Sequence, residues 1–164
     1  MATMTLQEKI LFKLQDVKDP EIASISIVDL GMVHEVKVDG SRVTVSVLPT
    51  FVGCPALHII ERDIENAIIS IDEVEDVKVD FVYTPQWTSD RISPEGRERL
   101  KEFGIAPPPL DHVMGEPWSI ECPYCGSPYV TMENIFGPTA CRCILYCKSC
   151  KNPFEAMKPV LNLD

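Results

Sequence analysis

The chain has 164 residues, is 45% hydrophobic and carries a formal net charge of -10. That length allows one ordinary domain or two small ones, with enough apolar material for a real core. Residues 1–106 hold 11 Lys+Arg against 19 Asp+Glu and residues 107–164 hold 4 against 6, the opposite of the basic footprint that a nucleic-acid backbone selects.

No apolar run reaches the roughly 20 residues of a bilayer span, so no membrane partner is expected. Met1 to Lys13 has no basic segment followed by an apolar core, so no secretory signal is read there. The seven cysteines are an odd number, and with no such signal they point to the reducing cytoplasm. Clustered thiols in that compartment hold metal rather than pair as disulfides.

Thr5-Leu6-Gln7-Glu8 has the pattern of a capping box, and Leu6, Ile10, Leu11, Leu14 and Val17 recur at helical spacing behind it. Asp19-Pro20 stops this helix, since proline pushes the preceding residue out of helical geometry. Val33 to Val38 and Val43 to Leu48 alternate around Asp39-Gly40, a hairpin signal. A second helix is expected from Cys54-Pro55, with Leu57, Ile60, Ile64, Ala67, Ile68 and Ile71 on one face. Val77, Val79, Phe81 and Tyr83 alternate as a third strand. The order helix-strand-strand-helix-strand predicts an α/β (α+β) domain with helices packed on a small mixed three-stranded sheet.

Ser93-Pro94 opens a third helix, as N-cap and first position, which ends at Gly104. The expected division is a first domain over 1–104, a Pro-rich linker over 105–117 and a cysteine-rich module over 118–164. The module is too short and too poor in aliphatic residues to fold without a staple.

That staple is legible in Cys122-Pro-Tyr-Cys125 and Cys147-Lys-Ser-Cys150, two C-x2-C pairs separated by 21 residues. Each pair can form a knuckle with both thiolates on one side, and two knuckles complete a tetrahedron around Zn²⁺. Four protein ligands leave no open position, so the metal is structural. Iron in a rubredoxin-like site fits the same ligands, and an iron–sulfur cluster could recruit Cys141 or Cys143. The plainer account of Cys141 and Cys143 is a small buried side chain and a spare thiol. Cys-Pro-Tyr-Cys is also a glutaredoxin dithiol motif, but Gly126-Ser127-Pro128 would break the helix that motif needs.

Cys54 stands apart from the cluster. Gly53 permits a tight turn before it, and the start of a helix favours a thiolate. Cys54 is therefore a nucleophile or soft-metal ligand, or else a buried cysteine under the turn. His58, one helical turn on, is read as a partly exposed helix residue. The acidic run Asp72 to Asp76 is read as a solvated turn.

Several segments taken together resemble a known family. Asp19-Pro20-Glu21, Ile27-Val28-Asp29-Leu30-Gly31-Met32-Val33 and Thr50-Phe51-Val52-Gly53-Cys54-Pro55 resemble the SufT-type domain of iron–sulfur cluster assembly factors. Trp87-Thr88-Ser89-Asp90-Arg91-Ile92, Phe103-Gly104-Ile105-Ala106-Pro107-Pro108, Cys122-Pro123-Tyr124-Cys125-Gly126-Ser127 and Phe136-Gly137-Pro138-Thr139-Ala140-Cys141 resemble PaaD (PaaJ) proteins of the phenylacetyl-CoA epoxidase system. The chain departs from that pattern at Pro138, at the extra thiol Cys143 and at Arg91, where an aromatic residue is usual.

The resemblance implies an accessory factor, not itself catalytic, for iron or iron–sulfur cofactor assembly in a multicomponent oxygenase. Cys54 would hold or hand over iron or a cluster, Thr50, Asp29 and Glu21 would line the same rim, and the zinc ribbon would dock the recipient. Expected partners are the oxygenase and reductase subunits of a phenylacetyl-CoA epoxidase-like complex and other iron–sulfur assembly proteins, and a homodimer is left open. The competing account is a stoichiometric, non-catalytic subunit of the oxygenase. A nucleic-acid-binding ribbon is disfavoured because residues 107–164 offer only Arg142, Lys148, Lys151 and Lys158 as cations.

Overall fold

The computed structural model describes residues 3–50, 55–110, 119–138 and 141–160. They divide into two compact units, Met1–Trp87 and Thr88–Asp164.

The first unit opens with α1 (Leu6–Leu14), whose Thr5 N-cap accepts from the Glu8 amide while the Glu8 carboxylate accepts from the Thr5 amide. Both halves of the capping box are thus made, and two of the helix's unpaired donors are satisfied. Residues 17–32 then fold as a tight run of turns: the Ile27 amide donates to Val17, Met32 to Ile27, and Leu48 to Met32. The Asp19 carboxylate accepts from the Glu21 and Ile22 amides, an Asx turn of the kind expected of Asp-Pro.

The hairpin forms as expected, with β1 (Val33–Asp39) antiparallel to β2 (Arg42–Val47). Helix α2 (Leu57–Ile69) crosses over to β3 (Asp76–Phe81), which pairs parallel to β2 in the order β1-β2-β3. A parallel pair needs such a helical crossover. The helix presents Ile60, Ile64 and Ile68 to the core, and central β2 buries Val43, Val45 and Val47. Each such side chain contributes about 1.5–3 kcal/mol on burial. The third strand stops at Phe81, and Tyr83, expected within it, is exposed.

The second unit begins with a 3₁₀ turn (Ser89–Arg91) and α3 (Pro94–Glu102), capped by the Ser93 hydroxyl accepting from the Gly96 amide. Its sheet has the order β4-β7-β6-β5, from β4 (Ile105–Ala106), β5 (Val130–Asn134), β6 (Arg142–Cys147) and β7 (Pro153–Met157). The compact units therefore do not divide after Gly104 as expected. Ile105 and Ala106 pair with Glu155 and Ala156 of β7, which draws α3 into the cysteine-rich unit. Arg97 reinforces this by donating from its guanidinium to the carbonyls of Pro108 and Ser89, fixing the proline run against the helix.

Candidate metal centre and assembly-domain rim

The second unit buries a small core of Ala106, Ile120, Leu145, Phe154 and Ala156 with Cys122, Cys143 and Cys147. Three of the eight members of this cluster are cysteines, and two of them, Cys122 and Cys147, belong to the C-x2-C pairs, so candidate metal ligands are part of the core. Cys147 ends β6, and the Lys151 amide donates back to the Cys147 carbonyl at 3.0 Å. In the first knuckle the Gly126 amide makes the matching bond to the Cys122 carbonyl at 2.8 Å.

The two turns bring Cys122, Cys125, Cys147 and Cys150 together, with all four Sγ atoms within 4.8 Å of one another. Across the knuckles, Cys122 to Cys150 is 3.7 Å and Cys125 to Cys147 is 3.6 Å. A tetrahedron with metal–sulfur bonds of about 2.3 Å has edges of about 3.8 Å, while a disulfide would need about 2.05 Å. The quartet has the geometry of a candidate tetrathiolate metal site.

Its electrostatics are those of thiols crowded together for a cation. The Cys150 amide, donating at 3.5 Å, holds the Cys147 thiol down at about 6 against the effect of burial. Burial pushes the Cys122 thiol up. At Cys125 the Ser127 amide favours the thiolate, yet burial and the neighbouring sulfurs outweigh it and raise the thiol to about 12. Four thiolates so close repel one another, and a metal ion resolves that conflict while displacing the protons.

Of the spare thiols, Cys141 is half-buried and Cys143 fully buried, and neither belongs to the converging group. Cys143 donates to the Ala156 carbonyl at 3.6 Å and packs as a core side chain, the plainer of its two expected roles.

In the first unit the residues expected to line a rim are placed one by one. Asp29 is half-buried, with its amide donating to Ser26 Oγ at 3.0 Å. Glu21 is exposed and Thr50 half-buried. Cys54 lies outside the described residues. The N-cap of α2 is Ala56, with no side-chain cap, so the helix starts two residues beyond the expected Cys54 position. His58 is exposed, as expected. Among the described residues, Asp29 and Glu21 enter no cluster of three or more His, Cys, Asp or Glu ligands.

Three features escaped the sequence. Ser127 and Ser149 hydrogen-bond at 2.7 Å, tying one knuckle to the other. Arg142 pairs with Glu155 at 2.6 Å across β6 and β7. The Trp87 indole donates to the Leu30 carbonyl. Only the last had a signal, since a tryptophan needs a partner for its N–H when buried.

Residues 7–81 match the model of an iron–sulfur cluster assembly protein, and residues 106–158 that of the PaaD zinc beta ribbon domain. The chain is 37% identical to an Escherichia coli (strain K12) protein named as a 1,2-phenylacetyl-CoA epoxidase component, over 88% of each chain. It is also 37% identical to the Fe-S protein maturation auxiliary factor YitW of Bacillus subtilis (strain 168), over 54% of this chain and 86% of that one. The crystal structure of a domain of unknown function, DUF59, from Bacillus anthracis superposes with a TM-score of 0.55 at 29% identity, covering 58% of this chain and 91% of that one. With the fold and the tetrathiolate site in place, the chain belongs to the PaaD family, in which an iron–sulfur cluster assembly domain of SufT type precedes a zinc beta ribbon.

Proposed function

We propose that this protein is a maturation factor that carries or hands over iron, or an iron–sulfur cluster, to a multicomponent oxygenase of the phenylacetyl-CoA epoxidase type. The observation that carries this reading is the joining of two similarities on one chain. The first half alone resembles a stand-alone iron–sulfur maturation factor, and nearly the whole chain resembles a protein named as part of an epoxidase. An assembly domain fused to an oxygenase-specific module is what delivery to one recipient requires.

In this reading Cys54 is the cargo thiol, and Thr50, Asp29 and Glu21 line its rim. The ribbon holds Zn²⁺ on Cys122, Cys125, Cys147 and Cys150. With no open position, zinc there supplies folding energy and does not act on cargo. Its task is to present a docking surface to the oxygenase or its reductase, and other iron–sulfur assembly proteins supply the cargo. A reducing cytoplasm suits this many free thiols.

The test is Cys54→Ser. The variant should fold with its zinc intact, while the oxygenase system co-produced with it contains less iron than with the wild type. Equal iron loading would overturn the role of Cys54. The similarity to an Escherichia coli protein named as a component of the epoxidase itself favours one second reading, a stoichiometric non-catalytic subunit. That reading requires stable co-purification with the oxygenase, and a fully active oxygenase reconstituted without this chain would exclude it.

A further inference from the structure

The two knuckles of the ribbon are built alike but charged differently. In each, the residue after the second cysteine adopts a left-handed backbone: Gly126 at φ 75° and Lys151 at φ 63°. In each, that residue's amide closes the turn onto the first cysteine's carbonyl. The left-handed conformation is therefore demanded by the knuckle. Glycine meets the demand without strain, whereas lysine brings its Cβ against the following carbonyl.

Lys151 is the only non-glycine residue with positive φ among the described residues. The knuckle holds this backbone in place, and residues strained in this way cluster at functional sites, so the choice of lysine over glycine asks for a reason in its side chain. Packing does not supply that compensation, because Lys151 is exposed. No ion pair does so either, because Lys151 pairs with no carboxylate among the described residues. What lies beside it is the metal site, one residue away at Cys150.

Four thiolates around a divalent ion carry a net charge of two minus. The first knuckle, Cys122-Pro-Tyr-Cys125-Gly, offers that charge no cation, and the second, Cys147-Lys-Ser-Cys150-Lys, offers two. We infer that Lys151 is an electrostatic positioning residue of the tetrathiolate centre, kept at the cost of backbone strain because its ammonium offsets the dianion and slows attack on the cysteine sulfurs. This inference rests on the reading of the quartet as a zinc site.

The experiment uses the full chain loaded with one zinc ion and the variants Lys151→Gln, Lys151→Arg and Lys151→Gly. Neutral iodoacetamide alkylates the thiolates, and a chromophoric chelator reports the zinc released. At low salt K151Q should release zinc about two- to five-fold faster than wild type, the range expected of an exposed charge interaction. K151R should behave as wild type. The difference should vanish near 1 M salt, where screening acts within about 3 Å. In an equilibrium competition at high salt, K151G should bind zinc about five-fold more tightly than K151Q, because it relieves the strain.

A zinc-loaded chain whose release rate is the same in wild type and K151Q at low salt overturns the inference alone. So does an effect that persists at high salt, or a K151G no tighter than K151Q. A wild-type chain that binds no zinc overturns the metal reading, and the inference falls with it.

Discussion

Trp87 donates its indole N–H to the carbonyl of Leu30 at 2.8 Å, and Trp87 is only 2% exposed. The bond spans 57 residues and joins the last residue of the first unit to the turn that carries Asp29. It fixes the turn around Leu30 against the core of the first unit.

Trp87→Phe keeps most of the apolar volume but leaves the Leu30 carbonyl without this donor. A buried acceptor losing its partner costs about 1–3 kcal/mol, and that is the expected destabilisation. Trp87→Ala adds a cavity and should cost about 3–5 kcal/mol. Denaturant unfolding of the full chain, followed by circular dichroism, measures both. Equal stability of wild type and Trp87→Phe would show that the bond contributes nothing.

The elements of the first unit were legible because each has a local signal: the Thr5–Glu8 box, the Asp39-Gly40 turn, and the Ile60/Ile64/Ile68 face. The cysteine quartet was legible because C-x2-C spacing is short-range. What escaped the sequence depends on pairing over long distances. Ile105-Ala106 is too short to read as a strand, and only its register with β7 makes it one and carries α3 into the second unit. The start of α2 slipped for a local reason. Pro55 suits a first helical position, yet Ala56 is the N-cap, so the helix begins beyond the proline.

Removing the metal should affect the two units unequally. The second unit's core is small and contains two of the ligands, Cys122 and Cys147, so its folding depends on the ion. The first unit has its own core of aliphatic side chains on a three-stranded sheet. A strong chelator should abolish amide-exchange protection in β5, β6 and β7 while β2 keeps its protection. Cys147→Ser should reproduce the effect without chelator. Retained protection in β6 after complete metal removal would refute it.

The Arg142–Glu155 pair predicts a coupling energy. Their side chains are 7% and 32% exposed, so the guanidinium is nearly buried and its partner is partly solvated. Glu155→Gln should destabilise the unit by about 1–3 kcal/mol, below the cost of breaking a fully buried pair because water reaches the carboxylate. In a double-mutant cycle with Arg142→Met, the two losses should be less than additive, with an interaction energy of about 1–2 kcal/mol. Strict additivity would mean that the contact carries no energy of its own.

Cys143 sets an alkaline limit. Burial pushes its thiol above the ordinary value of 9.0, with Lys158 and the Ala156 backbone opposing the shift only in part. Its proton is also engaged, donated to the Ala156 carbonyl. Below pH 9 both the folded and the unfolded chain keep this proton, and its contribution to stability is complete. Above pH 9 the unfolded chain releases the proton while the folded chain retains it. Unfolding is then favoured, and the contribution is lost as pH rises through the folded value. Cys143→Ala removes this term but leaves a small cavity costing about 1 kcal/mol. Wild type should therefore be the more stable below pH 9, and its lead over Cys143→Ala should shrink steadily above it. Parallel stability curves from pH 7 to 11, measured by denaturant unfolding with metal present, would place the Cys143 thiol at an unshifted value and contradict its burial.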